Sequence, residues 1–405
     1  MSRFLYAWEL GANLGHVGTF EPVAQHLKQD GHSVTFAVCD TKACAALLGD
    51  RFAWLQAPVV ESKLDLPVPV SYADILLARG YDDPVVLFGL LVAWRNMLQL
   101  VRPELVFADH APTAILAART LGIPVMLYSA GFAVPPARSP LPVMRPWEPV
   151  DDQQLAVRDA IALDSINTVL KRIGCADLPR LCDLFDVAES ALVTLPELDH
   201  YYGRGSSQYW GMLPSMAVVP SIQITWPAGQ GPRLFAYVRH DAEVSASIMA
   251  AIAESGCPSI IYYPNWAGQT VLPATMTILT TPADLDQMAI EAQIGIVYGI
   301  GTISAFLRLG KPVLCVVSHL EQFLFALRVA QMGAGLVVRA DCEQANIKPA
   351  LQQLLSDGNF SAKARDFSTK YASLDPATVV ANVCARALEL VKGSVSYKIN
   401  WTSSF

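Results

Sequence analysis

Charge is scarce in this sequence. Charged residues make up 16% of its 405 positions, against about 25% in an ordinary globular chain. Basic residues are outnumbered too, 29 Lys and Arg against 36 Asp and Glu, which leaves a net charge of -7. A nucleic-acid partner would call for a basic face, so that class is not expected. Long apolar runs are also missing. The longest, PVVLFGLLVAW at 84–94, stops at Arg95, short of the roughly 18 residues that cross a bilayer. The N-terminus MSRFLYAWEL lacks the charged start, apolar middle and small-residue cleavage site of a secretory leader. The eight cysteines form no CxxC pair. They read as buried small residues in a reducing cytoplasm, neither a disulfide framework nor a zinc site.

Apolar side chains, by contrast, are plentiful. They make up 53% of the chain, enough for a large core with a surplus to line a groove or an interface. Their order repeats one rhythm. RFLYAWEL (3–10) reads as a strand, broken by GANLGH and followed by a helix ending at Gly31. SVTFAVC (33–39), ELVFADH (104–110) and IPVMLYSA (123–130) are further strands with helical stretches between them. The second half repeats the pattern with GPRLFAYVR (231–239), PSIIYYP (258–264), IGIVYG (294–299), KPVLCVV (311–317) and AGLVV (334–338). Such alternation predicts α/β architecture with parallel sheets covered by helices on both faces. The expected division is a first domain over 1–205, a glycine- and proline-punctuated linker over 206–230, a second domain over 231–376, and a C-terminal helix and polar tail over 377–405. Two doubly wound, Rossmann-like domains facing across a cleft would place ligands beyond the carboxyl ends of their strands.

His16 follows the first strand at such an edge, just after two glycines that bracket Asn13. Asp109 ends the strand ELVFAD in the same half. A carboxylate on one imidazole nitrogen fixes the tautomer and orientation of a general base, so the two can form an acid/base dyad. They can equally cap the helices that start beside them. On spacing alone the two readings carry equal weight. His110, next to Asp109, reads as a groove-lining or capping residue. In the second half, IVYGIGTISAFLRLGKP (296–312) is strand, glycine turn and helix. Gly299, Gly301 and Thr302 there can offer backbone amides and a hydroxyl to an anion, and glycine turns also serve plain packing. Glu321 and Gln322 begin a later helix, placed either to bond sugar hydroxyls or to form a capping box. The proline-rich stretch 131–149 carries Phe132 and Trp147, which either wall an acceptor pocket or pack on their own domain.

Four stretches resemble the GT-B-fold glycosyltransferases that use nucleotide sugars, the bacterial macrolide and plant UDP-glycosyltransferase group. GHVGTFEPVAQHL resembles the family's "GH…P…LA" opening, and FADHAPTAILAARTLGIP its "D…A…A…lGiP" stretch. YGIGTISAFLRLGKPVL resembles the donor signature, and HLEQFLFALRVAQMGAGL the "DQ..Na" ending. Together they span nearly the whole chain in the family's order.

The resemblance implies an inverting transfer without metal or separate cofactor, with a UDP or dTDP sugar as co-substrate and a small, apolar, hydroxylated acceptor. It places the catalytic histidine on His16 and its supporting aspartate on Asp109, with Asn13, His110, Phe132 and Trp147 on the acceptor side. Donor contacts fall on Tyr298, Gly299, Gly301, Thr302, Glu321 and Gln322. Two positions depart from the signature: its initial histidine is Tyr298 and its second glycine is Ile300. Arg239, ending the first strand of the second half, is a candidate for the positive charge that the histidine would have brought, or else a solvated arginine. Two rival readings remain, a nucleotide-sugar 2-epimerase and a non-catalytic binder with a decayed donor signature. The oligomeric state is not legible.

Overall fold

Apolar runs bounded by glycine and proline become strands here, and the helical stretches between them carry the chain back to the start of the next strand. The computed structural model describes residues 1–11, 14–60, 68–205, 207–214, 224–238, 242–264, 266–268, 271–281, 284–340 and 346–394. The chain divides into two units, residues 1–211 with 377–405, and residues 212–376.

The first unit holds strands β1 (Arg3–Trp8), β2 (Ser33–Val38), β3 (Ala53–Gln56), β4 (Leu105–Asp109), β5 (Val125–Ser129) and β6 (Glu189–Leu192). Its helices are α1 (Gly15–Gln29), α2 (Thr41–Leu47), α3 (Tyr72–Leu76), α4 (Pro84–Val101), α5 (Pro112–Thr120) and α6 (Asp152–Arg172). The strands pair in parallel in the order β3-β2-β1-β4-β5-β6. The chain winds outward from β1 in one direction and from β4 in the other, so the switch point lies between these two strands. Tyr6 and Phe20 stack with ring centroids 4.3 Å apart, and Phe36, Phe107 and Tyr128 close round Phe20.

The second unit repeats this order. Its strands are β7 (Leu234–Tyr237), β8 (Ser259–Tyr262), β9 (Met276–Leu279), β10 (Ile294–Val297), β11 (Val313–Val317) and β12 (Gly335–Arg339). They run parallel as β12-β11-β10-β7-β8-β9, with the switch point between β7 and β10. Its helices are α7 (Ala242–Ser255), α8 (Leu285–Glu291), α9 (Ile300–Arg308), α10 (Leu320–Gln331), α11 (Ile347–Ser356) and α12 (Gly358–Lys370). The last helix, α13 (Pro376–Ser394), returns to the first unit. There Arg386 Nε donates to Glu189 Oε2 at 2.7 Å, and Cys384 Sγ lies 3.7 Å from the Val23 carbonyl.

Some elements exceed the sequence reading. β3, β6 and β9 are four-residue strands at sheet edges with partly or fully exposed side chains, so they lack the buried apolar run that marks the central strands. α6 begins with Asp151 accepting from Gln153 N and buries only one face of a polar helix. α4 runs past Arg95 to Val101, and at 18 residues with mean hydropathy 1.5 it is long and apolar enough to cross a membrane. The uninterrupted apolar run still ends at Arg95. Leu87, Leu91, Trp94 and Leu98 are nonetheless buried, and the helix packs on α5 and α6. The boundary between units, at Gly211 and Met212, falls in the segment read as a linker, of which residues 206 and 215–223 lie outside the described ones.

Candidate active site

β1 and β4 are neighbours, and their register pairs Trp8 with Asp109 at the carboxyl end of the sheet. α1 starts beside them, with His16 as its second residue. His16 Nδ1 and Asp109 Oδ2 are 2.9 Å apart, with the two side chains 15% and 7% exposed. An ionised carboxylate only accepts, so Nδ1 carries the proton and Nε2 keeps the lone pair. Neither residue acts as a cap. Leu14 occupies the N-cap of α1 with no side-chain bond, and Ala111 that of α5. The amide of Thr113 donates to Glu9 Oε2 at 2.8 Å instead, so Glu9 satisfies the start of α5 from the end of β1. Burial raises the Glu9 carboxyl to about 7 despite the Thr113 hydrogen bonds.

Three residues around the dyad were not read from the sequence as parts of it. Tyr6 Oη donates to Asp109 Oδ2 at 2.7 Å. The Trp8 indole stacks on the His16 imidazole, with centroids 4.8 Å apart and planes inclined by 22°. Gly11 has φ of +107°, and a Cβ there would lie 2.7 Å from His16 Nε2, so this backbone passes beside the imidazole only as glycine. Tyr6 and Trp8 look like core residues of an apolar strand. The sole sequence signal was their i, i+2 spacing onto one face of β1.

His110 is 7% exposed and has φ of +49°. Burial first, then the proximity of His16, pushes its imidazole down to about 3, so it stays neutral. Its ring lies 6.5 Å from that of His16 and edge-on to Phe132 at 5.8 Å. Phe132 is buried, whereas Trp147 is 46% exposed. The loop bearing Phe132 is fastened by Arg204, which pairs with Asp199 and donates to the carbonyls of Gly131 and Val134. Asn13 lies outside the described residues.

In the second unit the turn after β10 sits at the switch point. Gly299 is the N-cap of α9 with φ of -89°. Among the described residues, a Cβ on Gly299 or Gly301 would meet nothing within 4 Å. The first turn of α9 thus has room beside both glycines, at a helix start, the kind of place where an anion can be held. Thr302 is half-buried in the same first turn. Tyr298 is buried in the core of its unit, edge-on to Tyr237. Gln322 is 6% exposed, and its Oε1 accepts from Ser318 N at 3.1 Å and Ser318 Oγ at 3.2 Å. It therefore braces the start of α10, while Glu321 beside it is half-buried. Arg239 lies outside the described residues. Among the described residues no group of three or more His, Cys, Asp or Glu side chains is placed to hold a metal ion.

No family model matches the chain, and no curated protein matches it. Solved structures do. The glycosyltransferase SsfS6 of Streptomyces sp. SF2575 is 17% identical, with a TM-score of 0.66 over 95% of this chain and 99% of its own. The glycosyltransferase VinC, solved in complex with DTDP, is 18% identical with a TM-score of 0.68, covering 96% of this chain and 99% of its own. The spinosyn rhamnosyltransferase SpnG, solved with spinosyn aglycone, is 18% identical with a TM-score of 0.65, covering 95% of this chain and all of its own at 100%. The chain shares the GT-B fold of these proteins over 95–96% of its length.

Proposed function

We propose that this protein is an inverting glycosyltransferase that moves a sugar from a nucleotide diphosphate to a hydroxyl of a small acceptor in the cytoplasm. The observation that carries the reading is the 2.9 Å contact between His16 Nδ1 and Asp109 Oδ2 at the switch point of the first sheet. With Nδ1 held by the carboxylate, His16 Nε2 takes the proton of the acceptor hydroxyl. The acceptor oxygen then bonds to the anomeric carbon, the bond from that carbon to the phosphate oxygen breaks, and the nucleotide diphosphate leaves with both electrons. Asp109 stabilises the imidazolium until the proton is passed on. Amides at Gly299, Gly301 and Thr302 receive the diphosphate, and catalysis rests on positioning and on stabilising its charge. Glu321 contacts the donor sugar, with Gln322 holding the turn, and Arg239 contributes charge. Phe132, His110, Asn13 and Trp147 line the acceptor side.

VinC and SpnG are both solved with thymidine diphosphate, so a dTDP sugar is the first donor to test and UDP the second. The rival reading, a non-catalytic nucleotide-sugar binder, is favoured by one observation: Tyr298, in place of the signature histidine, is a core residue. Calorimetric titration with dTDP and UDP, followed by transfer assays on a panel of hydroxylated aglycones, separates them. Micromolar binding with glycoside formation is expected. Binding without transfer to any acceptor would favour the rival, and no heat at millimolar nucleotide would sink both.

A further inference from the structure

We propose that β1 clamps the dyad from one side, with Tyr6 and Trp8 as positioning residues that pull the proton affinity of His16 in opposite directions. The proposal rests on the reading of His16 as the base. Tyr6 and Trp8 are two residues apart on one strand, so both project from the same face of the sheet. The phenol donates to Asp109 Oδ2, the oxygen that also faces His16 Nδ1. Two donors on one oxygen share its charge, which weakens the hold of the carboxylate on an imidazolium. Burial, reinforced by the charge of Asp109, keeps the Tyr6 phenol well above its ordinary range, so it remains a donor at every working pH.

Trp8 acts the other way. Its ring lies nearly parallel to His16, and Trp8 Nε1 is anchored on the Leu10 carbonyl at 2.7 Å. The electron-rich face of an indole attracts a cation more than a neutral ring, so the stack favours His16 once it has accepted a proton. Gly11 borders both rings, since a Cβ there would lie 2.7 Å from His16 Nε2 and 3.4 Å from Trp8 Nε1. Two titratable neighbours carry no charge near neutrality, His110, held down at about 3, and the Cys39 thiol, 3.9 Å from the Gly11 carbonyl and pushed up by burial to about 12, whereas Glu9, raised to about 7, is partly ionised there. Glu9, next along the strand, faces Thr113. Among the described residues, Asp109 and Trp8 touch the His16 ring directly, and Tyr6 acts on it through Asp109.

The test is an NMR titration of the His16 imidazole in the unliganded protein, its signals assigned by their loss in His16→Gln. Tyr6→Phe keeps the stack on Phe20 and is expected to raise the midpoint by about half a pH unit. Trp8→Leu is expected to lower it by about half a unit, and Trp8→Phe by less. The acid limb of the kcat/KM profile should move in the same directions. Midpoints that stay put, or that move together in variants with native near-UV circular dichroism, would overturn the clamp. If Trp8→Leu does not fold, an unchanged midpoint in Trp8→Phe overturns the Trp8 half by itself. The titration needs no substrate. Opposite shifts in a protein with no transfer activity would uphold the clamp and remove the transferase reading, whereas normal turnover without shifts would do the reverse.

Discussion

Trp8 and Asp109 are register partners at the ends of two neighbouring parallel strands, and His16 touches both. One side chain lies under the imidazole and the other at its edge. The imidazole is thus fixed in tilt by a ring and in rotation by a carboxylate.

Replacement of His16 by alanine is expected to lower transfer by at least about two orders of magnitude, the range of general-base contributions. Dissociation constants for dTDP or UDP should change less than about twofold, because the proposed phosphate amides belong to the second unit. Steady-state kinetics with the true acceptor, beside calorimetry, checks both. Near-normal turnover would take His16 out of the mechanism.

Asp109→Asn should cost less than His16→Ala, and the double variant should be no worse than His16→Ala alone. The carboxylate acts only through the imidazole, so removing the base masks it. Losses that multiply in the double variant would mean that Asp109 acts independently.

Gly301→Val offers a separation of folding from binding. Among the described residues, a Cβ at this position meets nothing within 4 Å, and the backbone is not left-handed, so the melting temperature should stay within a few degrees of the parent. Nucleotide binding should disappear, because the branched side chain would stand in the first turn of α9, where the diphosphate is proposed to bind. A variant that binds dTDP normally would show that the diphosphate sits elsewhere.

Stability should depend on pH through Glu9. Its folded value is raised from 4.5 to about 7, so the folded state holds the proton more tightly than the unfolded chain. The contribution is complete below 4.5 and is lost as pH rises through 7, on the order of 1–3 kcal/mol. Asp159, raised by burial to about 6, acts in the same direction at lower pH. Glu9→Gln keeps an acceptor for Thr113 and should flatten the decline between pH 6 and 7 in denaturant titrations. An unchanged slope would show that Glu9 does not titrate there.

The doubly wound frame was legible because its strands are apolar runs with glycine at the helix ends, and Asp109 because it terminates one of them. His16 was legible from its place beyond β1. Whether Asp109 paired with His16 or capped α5 depended on Glu9, which takes over the start of α5 and leaves Asp109 to the histidine. Glu9 itself read as the end of a strand. Tyr6 and Trp8 were hidden for another reason: an aromatic in an apolar strand looks the same whether its ring fills a core or supports a base. Gln322 read both ways, and its bonds to Ser318 show that bracing is one of its tasks.

The return of α13 to the first unit makes the second an insert. Residues 212–376 form one uninterrupted stretch, whereas the first unit is written in two pieces of gene, the later one supplying Arg386 for Glu189. A stop codon after residue 211 would therefore leave the first unit without its closing helix. A cassette exchanged at the two crossings, 211/212 and 376/377, would replace the second unit and leave every residue of the dyad and its clamp in place.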